Sequence, residues 1–194
     1  MIRSITRPRR PRRCQLSVPG SSEKMLAKAA GLAIDHVFLD LEDSVSPLEK
    51  EASRAKVVEA IKTQDWGEKI LCVRVNAWDT QWTYGDIIEV VGNAGERLEE
   101  IMLPKVQTAG QIEAMDLLLT QVEKNAGLPL GHIGIEAQIE TAQGLINVNE
   151  ICAASPWRRS SSVRSTSRPP WRCHPCPAAC RSPSTPATTS TTSS

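Results

Sequence analysis

Five short β-rich runs recur in the chain: Leu16–Val18, His36–Glu42, Lys69–Ala77, Glu99–Val106 and His132–Glu140. From the second run on they begin about 30 residues apart, the span of one strand–helix unit. Segments with helical spacing lie between them. Ser22–Ala30 stops at Gly31, a C-terminal cap. Ser46-Pro47-Leu48-Glu49 has the form of a capping box with proline at the first helical position, and Leu48, Ala52, Ala55, Val58 and Ile61 then share one helix face. Thr108 to Gln111 repeats the device ahead of Ile112, Met115, Leu118 and Val122. Strict alternation of strand and helix implies a parallel sheet covered by helices, and runs such as HVFLDLE and KILCVRV are apolar enough for burial on both faces. An open doubly wound sheet and a (β/α)8 barrel both satisfy this pattern. No GxGxxG or GxxxxGK[ST] follows any run, so the nucleotide-binding open sheet loses its main support. The expected fold is α/β, a partial (β/α)8 TIM barrel with about five of its eight strand–helix units.

Composition divides the chain in three. Residues 1–13 carry six Arg and no acid, and residues 157–194 carry another six Arg and no acid. Residues 14–156 hold the remaining 11 Lys and Arg against all 22 acids. Beyond Pro156 the chain also lacks Lys, Leu, Ile and Gly, and is mostly Ser, Thr, Pro and Arg. The expected organisation is a basic disordered arm (1–13), a folded domain (14–156) and a disordered tail (157–194). An acidic body argues against nucleic acid as the partner, which would require a basic face. Cys14, Cys72 and Cys152 are scattered through the body, too few for a disulfide framework, which points to a reducing, cytoplasmic compartment. No apolar run reaches the ~18–20 residues of a membrane span. The first residues have no apolar segment of a secretory signal.

Polar residues gather where the runs end, the position at which parallel α/β folds place their chemistry. Val18 to Ser22 form a turn feeding a helix N-terminus that could hold an anion. The second run ends in Asp40, Glu42 and Asp43, the third carries Arg74 and Asn76, the fourth ends in Lys105 and the fifth in Glu140. Carboxylates suit a hard cation such as Mg²⁺, and a fixed guanidinium stabilises negative charge developing on a carbonyl or enolate oxygen. Metal-assisted chemistry on an anionic carbonyl compound follows. Plainer roles compete at each position. Glu42 and Asp43 could be solvated loop acids or helix caps, and Arg74 could serve only a structural ion pair. Lys105 could be a surface lysine, and Glu140 could stand beside a helix cap formed by Thr141. His36 and His132 open strands and read as structural.

Taken in order, Arg13-Cys14-Gln15-Leu16-Ser17-Val18-Pro19-Gly20, the LDLED of Leu39–Asp43, the VRVN of Val73–Asn76, the LPK of Leu103–Lys105 and the IETAQG of Ile139–Gly144 resemble the HpcH/HpaI aldolase and citrate lyase beta-subunit family. The likeness is nearest to its CoA-ester lyases for malyl-CoA, methylmalyl-CoA or citryl-CoA, and it covers nearly all of the body. It implies a (β/α)8 barrel, Mg²⁺, a homo-oligomer, and a CoA ester and 2-oxo acid as small-molecule partners. The implied reaction is a reversible Claisen-type cleavage to an acyl-CoA and an oxo acid. By motif, Arg74 would bind substrate and steady the enolate, and Glu140 would bind Mg²⁺ and contact substrate. Asp40, Glu42 and Asp43 would shape the metal site through water, with Lys105 in support.

The family's second metal carboxylate is an Asp in a segment resembling FGPxDF on a sixth strand, and residues 157–194 contain no acid. Three readings of that segment compete. A zinc element from Cys173, His174, Cys176 and Cys180 would require two adjacent residues to ligate together. A nucleic-acid-binding tail would need a denser basic run. A change of reading frame near residue 157 accounts for more: one synonymous coding of residues 157–167, read in the adjoining frame, yields Leu-Glu-Ala-Leu-Ile-Phe-Gly-Pro-Val-Asp-Phe. The expectation is a C-terminally truncated or frameshifted CoA-ester lyase with impaired turnover. An inactive fragment, or an acidic scaffold acting through partners, is the alternative.

Overall fold

A computed structural model of the chain describes residues 10–154 and 162–165. Along the chain run β1 (Gln15–Pro19), α1 (Glu23–Ala30), β2 (His36–Asp40), a 3-10 turn (Pro47–Glu49), α2 (Lys50–Thr63), β3 (Ile70–Arg74) and α3 (Thr83–Ala94). These are followed by β4 (Glu100–Leu103), α4 (Ala109–Asn125), β5 (Gly134–Ile139), α5 (Ala142–Ile146), α6 (Val148–Ala153) and β6 (Ser162–Ser165). All pairings are parallel and the strand order is β1-β2-β3-β4-β5-β6. Among the described strands the order never reverses, so they contain no switch point of the doubly wound kind. A sheet wound in one direction, with helices covering one face, is a segment of a (β/α)8 barrel.

The pleat of each strand sorts its residues into two layers. Val37, Leu39, Leu71, Val73, Ile101, Leu103, Ile135, Ala137 and Ile139 face the helices and form one core with Leu26, Val57, Ile61, Ile87, Val90, Ile112, Met115 and Leu119. The alternate positions are His36, Phe38 and Asp40 on β2, Cys72 and Arg74 on β3, Glu100 and Met102 on β4, and Glu136 and Gln138 on β5. The strands are buried on both faces as expected, yet this second face is largely polar.

Some expected elements shift. Ser46 makes no side-chain cap; Pro47 starts the 3-10 turn and α2 begins only at Lys50. The later start rotates the helix, so Lys50, Ser53, Val57, Ala60 and Ile61 are buried, whereas Ala52 and Ala55 are exposed and Leu48 is 96 % exposed. The second capping device does form: the Gln111 side-chain oxygen accepts from the Gln107 and Thr108 amides at 2.7 and 3.3 Å. Helix α1 ends at Gly31 and is capped by Ser22, whose hydroxyl accepts from the Met25 amide at 3.4 Å.

Residues 10–13, the described end of the arm, contact the body. Arg10 pairs with Glu99 and also donates to the Glu68 carbonyl at 2.9 Å. Arg12 makes two bonds to Glu100, and Arg13 grips Asp35 at 2.8 and 3.0 Å. Acids at the amino ends of the strands therefore fix residues 10–13. Residues Ser162–Ser165, expected as tail, instead pair with β5 from Glu136 to Ile139. A parallel ladder is made of main-chain bonds, so an apolar side-chain pattern is not its only requirement. Cys173, His174, Cys176 and Cys180 lie outside the described residues.

Candidate functional site at the carboxyl ends of the strands

Asp40 closes β2 and Arg74 closes β3, and the two are register partners. The Arg74 guanidinium forks onto Asp40, with Nε to Oδ1 at 2.8 Å and Nη2 to Oδ2 at 2.7 Å. Asp40 also accepts from the Glu42 amide at 2.8 Å, the Ser44 amide at 3.0 Å and the Ser44 hydroxyl at 2.5 Å. Burial alone would raise the Asp40 carboxyl, but the bonds from Arg74 and Ser44 outweigh it and hold it below the ordinary carboxylate value. Arg74 lies over the Phe38 ring, 5.3 Å from its centroid. The structural ion pair weighed for Arg74 is thus present, and it fixes where the guanidinium points. Its third nitrogen, Nη1, faces Glu42 Oε2 at 3.4 Å.

Glu42 is buried to 4 % exposure. Lys105 Nζ comes within 2.9 Å of its Oε1, off the line of an aligned hydrogen bond. Burial pushes the Glu42 carboxyl up, against the pull of Lys105 and Arg74. Asp43 stands at the edge with a 65 % exposed side chain, 4.0 Å from Arg74 and 3.8 Å from Lys105.

Lys105 is the one non-glycine residue with positive φ among those described, at 52°. That left-handed turn aims its amide at Glu140 Oε1, 2.9 Å away, while its ammonium reaches back to Glu42. The close approach to the Glu42 carboxylate raises the ammonium above its ordinary value. Glu140 follows β5, and its other oxygen accepts from Gln138 Nε2 at 2.9 Å. Thr141 does cap α5, its hydroxyl accepting from the Gly144 amide at 3.0 Å, which leaves Glu140 clear of that task. All six expected residues therefore form one connected rim: Asp40, Arg74, Glu42, Asp43, Lys105 and Glu140.

Sequence reasoning passes over several supports of this rim. Ser44 and Gln138 bond directly to site carboxylates. Lys50, buried at the start of α2, donates to the Leu41 and Glu42 carbonyls at 2.9 and 2.5 Å and lies 5.6 Å from the Trp82 ring centroid. Burial lowers its ammonium below the ordinary lysine value. Asn76, the other polar residue read in the third run, is tied instead through Asp86, at 2.7 Å, to Arg54. The one available signal was a lysine on what becomes the buried face of α2; the rest depends on register.

A one-way wound α/β sheet with a connected charged rim at its carboxyl ends defines a barrel-type domain with a site between its strand ends. The chain belongs to the HpcH/HpaI aldolase/citrate lyase family, whose profile matches residues 13–158. It is 45 % identical over 156 residues to an L-malyl-CoA/beta-methylmalyl-CoA lyase of Cereibacter sphaeroides, covering 80 % of this chain and 49 % of that protein. It is 40 % identical over 146 residues to the citrate lyase subunit beta of Leuconostoc mesenteroides subsp. cremoris, covering 75 % and 47 %. The chain thus spans about half the length of the curated relatives it matches. Among solved structures, the malate synthase of Haloferax volcanii in its magnesium/glyoxylate complex superposes with a TM-score of 0.66 at 22 % identity, over 73 % of this chain and 47 % of that one. RipC from Yersinia pestis gives 0.54 at 25 %, over 77 % and 56 %. Among the described residues no helix is long and apolar enough to cross a membrane.

Proposed function

We propose that this chain carries the substrate-binding rim of a Mg²⁺-dependent carbon–carbon lyase for a CoA ester of the malyl-CoA, methylmalyl-CoA or citryl-CoA type, with a 2-oxo acid as the other product. The observation that carries the reading is the continuous chain of contacts from Asp40 through Arg74, Glu42 and Lys105 to Glu140. The oxygen donors fit Mg²⁺. Each Glu140 oxygen accepts one hydrogen bond and keeps a lone pair for a metal, and Asp43 offers exposed oxygen 3.8 Å from the Lys105 ammonium. Glu140 would hold the ion, with Glu42 and Asp43 acting through water. When bound, Mg²⁺ supplies Lewis-acid polarisation of an oxo-acid carbonyl.

The chain's own groups do the rest. Arg74, held rigid by Asp40, presents Nη1 to an anionic oxygen of the substrate. Asp40, with all five of its bonds committed, is a positioning residue. Lys105 couples the two halves, setting Glu140 with its amide and Glu42 with its ammonium. A homo-oligomer in the cytoplasm is the proposed setting. Residues 157–194 contain no acid, so a second carboxylate for the metal is not supplied there, and turnover by this 194-residue chain is proposed to be impaired.

The test is calorimetric titration of the full chain with glyoxylate, with and without Mg²⁺. Binding should require Mg²⁺ and fall at least tenfold in both Glu140→Gln and Arg74→Lys. Binding indifferent to Mg²⁺ and to both substitutions would overturn the lyase reading. Rapid Mg²⁺-dependent release of acetyl-CoA from malyl-CoA would overturn the impairment alone.

A further inference from the structure

At the opposite end of the same sheet face, His36, Cys72, Glu100 and Glu136 converge from β2, β3, β4 and β5, all fully buried. One ligand atom from each lies within 4.8 Å of all the others. We propose that these four side chains form a second metal site, separate from the rim, for a borderline divalent ion such as Zn²⁺. The inference is independent of the lyase reading.

The donor set distinguishes this cluster from the rim. An imidazole, a thiol and two carboxylates are the ligand types of zinc, whereas Mg²⁺ prefers an all-oxygen shell. His36 Nε2 already lies 3.8 Å from a carboxylate oxygen of Glu100 and equally far from one of Glu136. Tetrahedral zinc with bonds of about 2.0–2.3 Å needs ligand atoms roughly 3.4 Å apart, so each side chain would close by less than about 1 Å. The backbone is preset for that closure. Cys72 and Glu100 are register partners, and all four residues stand on hydrogen-bonded strands rather than loops.

The surroundings suit an ion as well. Gln15 lies with its side-chain amide 3.2 Å from His36 Nδ1 and 3.4 Å from Glu136 Oε1. Both contacts are made by Gln15 Nε2, so ligation through His36 Nε2 would require that amide to turn and present its oxygen to Nδ1–H, the usual outer support of a zinc-bound histidine. Arg12 contacts Glu100 through two bonds. Two carboxylates and one thiolate balance Zn²⁺ and the Arg12 guanidinium, so binding releases the Cys72 proton and leaves these groups neutral. The Arg12 side chain is 25 % exposed whereas that of Glu100 is 0 %, which makes Arg12 the movable cover on the path from solvent.

The test uses the full chain and Co²⁺ as an optical probe, with Zn²⁺ as competitor. One Co²⁺ per chain should bind with a near-ultraviolet thiolate-to-cobalt band, and Zn²⁺ but not Mg²⁺ should abolish it. Cys72→Ser should remove the band, and His36→Gln should weaken Zn²⁺ binding at least tenfold. Arg12→Gln, which removes the two guanidinium bonds to Glu100, should strengthen binding several-fold. Replacing Cys173, Cys176 and Cys180 together by Ser should leave the band intact. No band from the native chain would overturn the site in favour of a self-neutralised ion-pair network. A band that survives Cys72→Ser, or is lost with the three distal cysteines, would overturn it in favour of those cysteines. Circular dichroism of Cys72→Ser separates a lost ligand from a lost fold; if that variant does not fold, the Arg12→Gln and triple-serine results decide.

Discussion

Lys105 joins three features in one residue: an ammonium on Glu42, an amide on Glu140 and a left-handed backbone. For a residue with a Cβ that conformation costs roughly 1–2 kcal/mol, and it persists because contacts on both sides require it. Lys105→Ala and Lys105→Gly both delete the ammonium, but only glycine relieves the backbone. The glycine variant is therefore expected to be more stable than the alanine variant by about 1 kcal/mol in urea unfolding, and equal stabilities would show that the turn relaxes. The charged residue itself was legible, standing just after a strand-ending proline. Its φ was not, because a left-handed lysine carries no local signature of the kind glycine or asparagine would.

Among the elements, the short helix α5 shows how closely the rim is packed. A Cβ on Gly144 would come 2.2 Å from the Val106 carbonyl oxygen and 3.2 Å from Thr141 Oγ1, so α5 sits against the loop after β4 only because that position is glycine. Gly144→Ala is expected to cost about 2 kcal/mol in thermal or urea unfolding. By moving the segment that carries Glu140, it should also weaken Mg²⁺-dependent glyoxylate binding; unchanged binding would mean that Glu140 is set by Lys105 and Gln138 alone. The motif IETAQG was readable as a strand end feeding a helix, while the contact that demands its glycine is long-range. The same limit explains α2. Ser46 and Glu49 have the spacing of a cap, but a 3-10 turn intervenes and Lys50 turns inward to two carbonyls, a destination that no helical periodicity contains.

For the whole molecule, the arm and the body meet through charge. Arg13 holds the Asp35 carboxyl down at about 2, first through the side-chain bond and then through its amide. Asp40 is likewise depressed, whereas Glu42 is raised by burial. A depressed acid contributes stability that is complete above its ordinary value and is lost as pH falls through the folded value. The stabilisation from Asp35 should therefore fade between about pH 4 and about pH 2, with that from Asp40 declining in the same direction. Glu42 acts oppositely, contributing most when protonated and losing that contribution as pH rises through its raised value. Asp35→Asn is expected to lower the urea unfolding midpoint most at neutral pH and progressively less between about pH 4 and about pH 2, measured by circular dichroism. An unmoved midpoint would mean that the arm does not brace the body in solution.

The sequence by itself determined the first five strands, their parallel sheet covered by helices and the carboxyl-end position of every rim residue. Those follow from alternation, period and the places where apolar runs stop, all of which are local properties of the chain. Only the tertiary structure decided which side chains face one another. Asp40 meets Arg74 because β2 and β3 pair in one register, and His36, Cys72, Glu100 and Glu136 gather because four pleats point the same way. Their sequence spacing resembles no ligand motif, since the distances between strands are set by intervening helices that contribute nothing to the cluster.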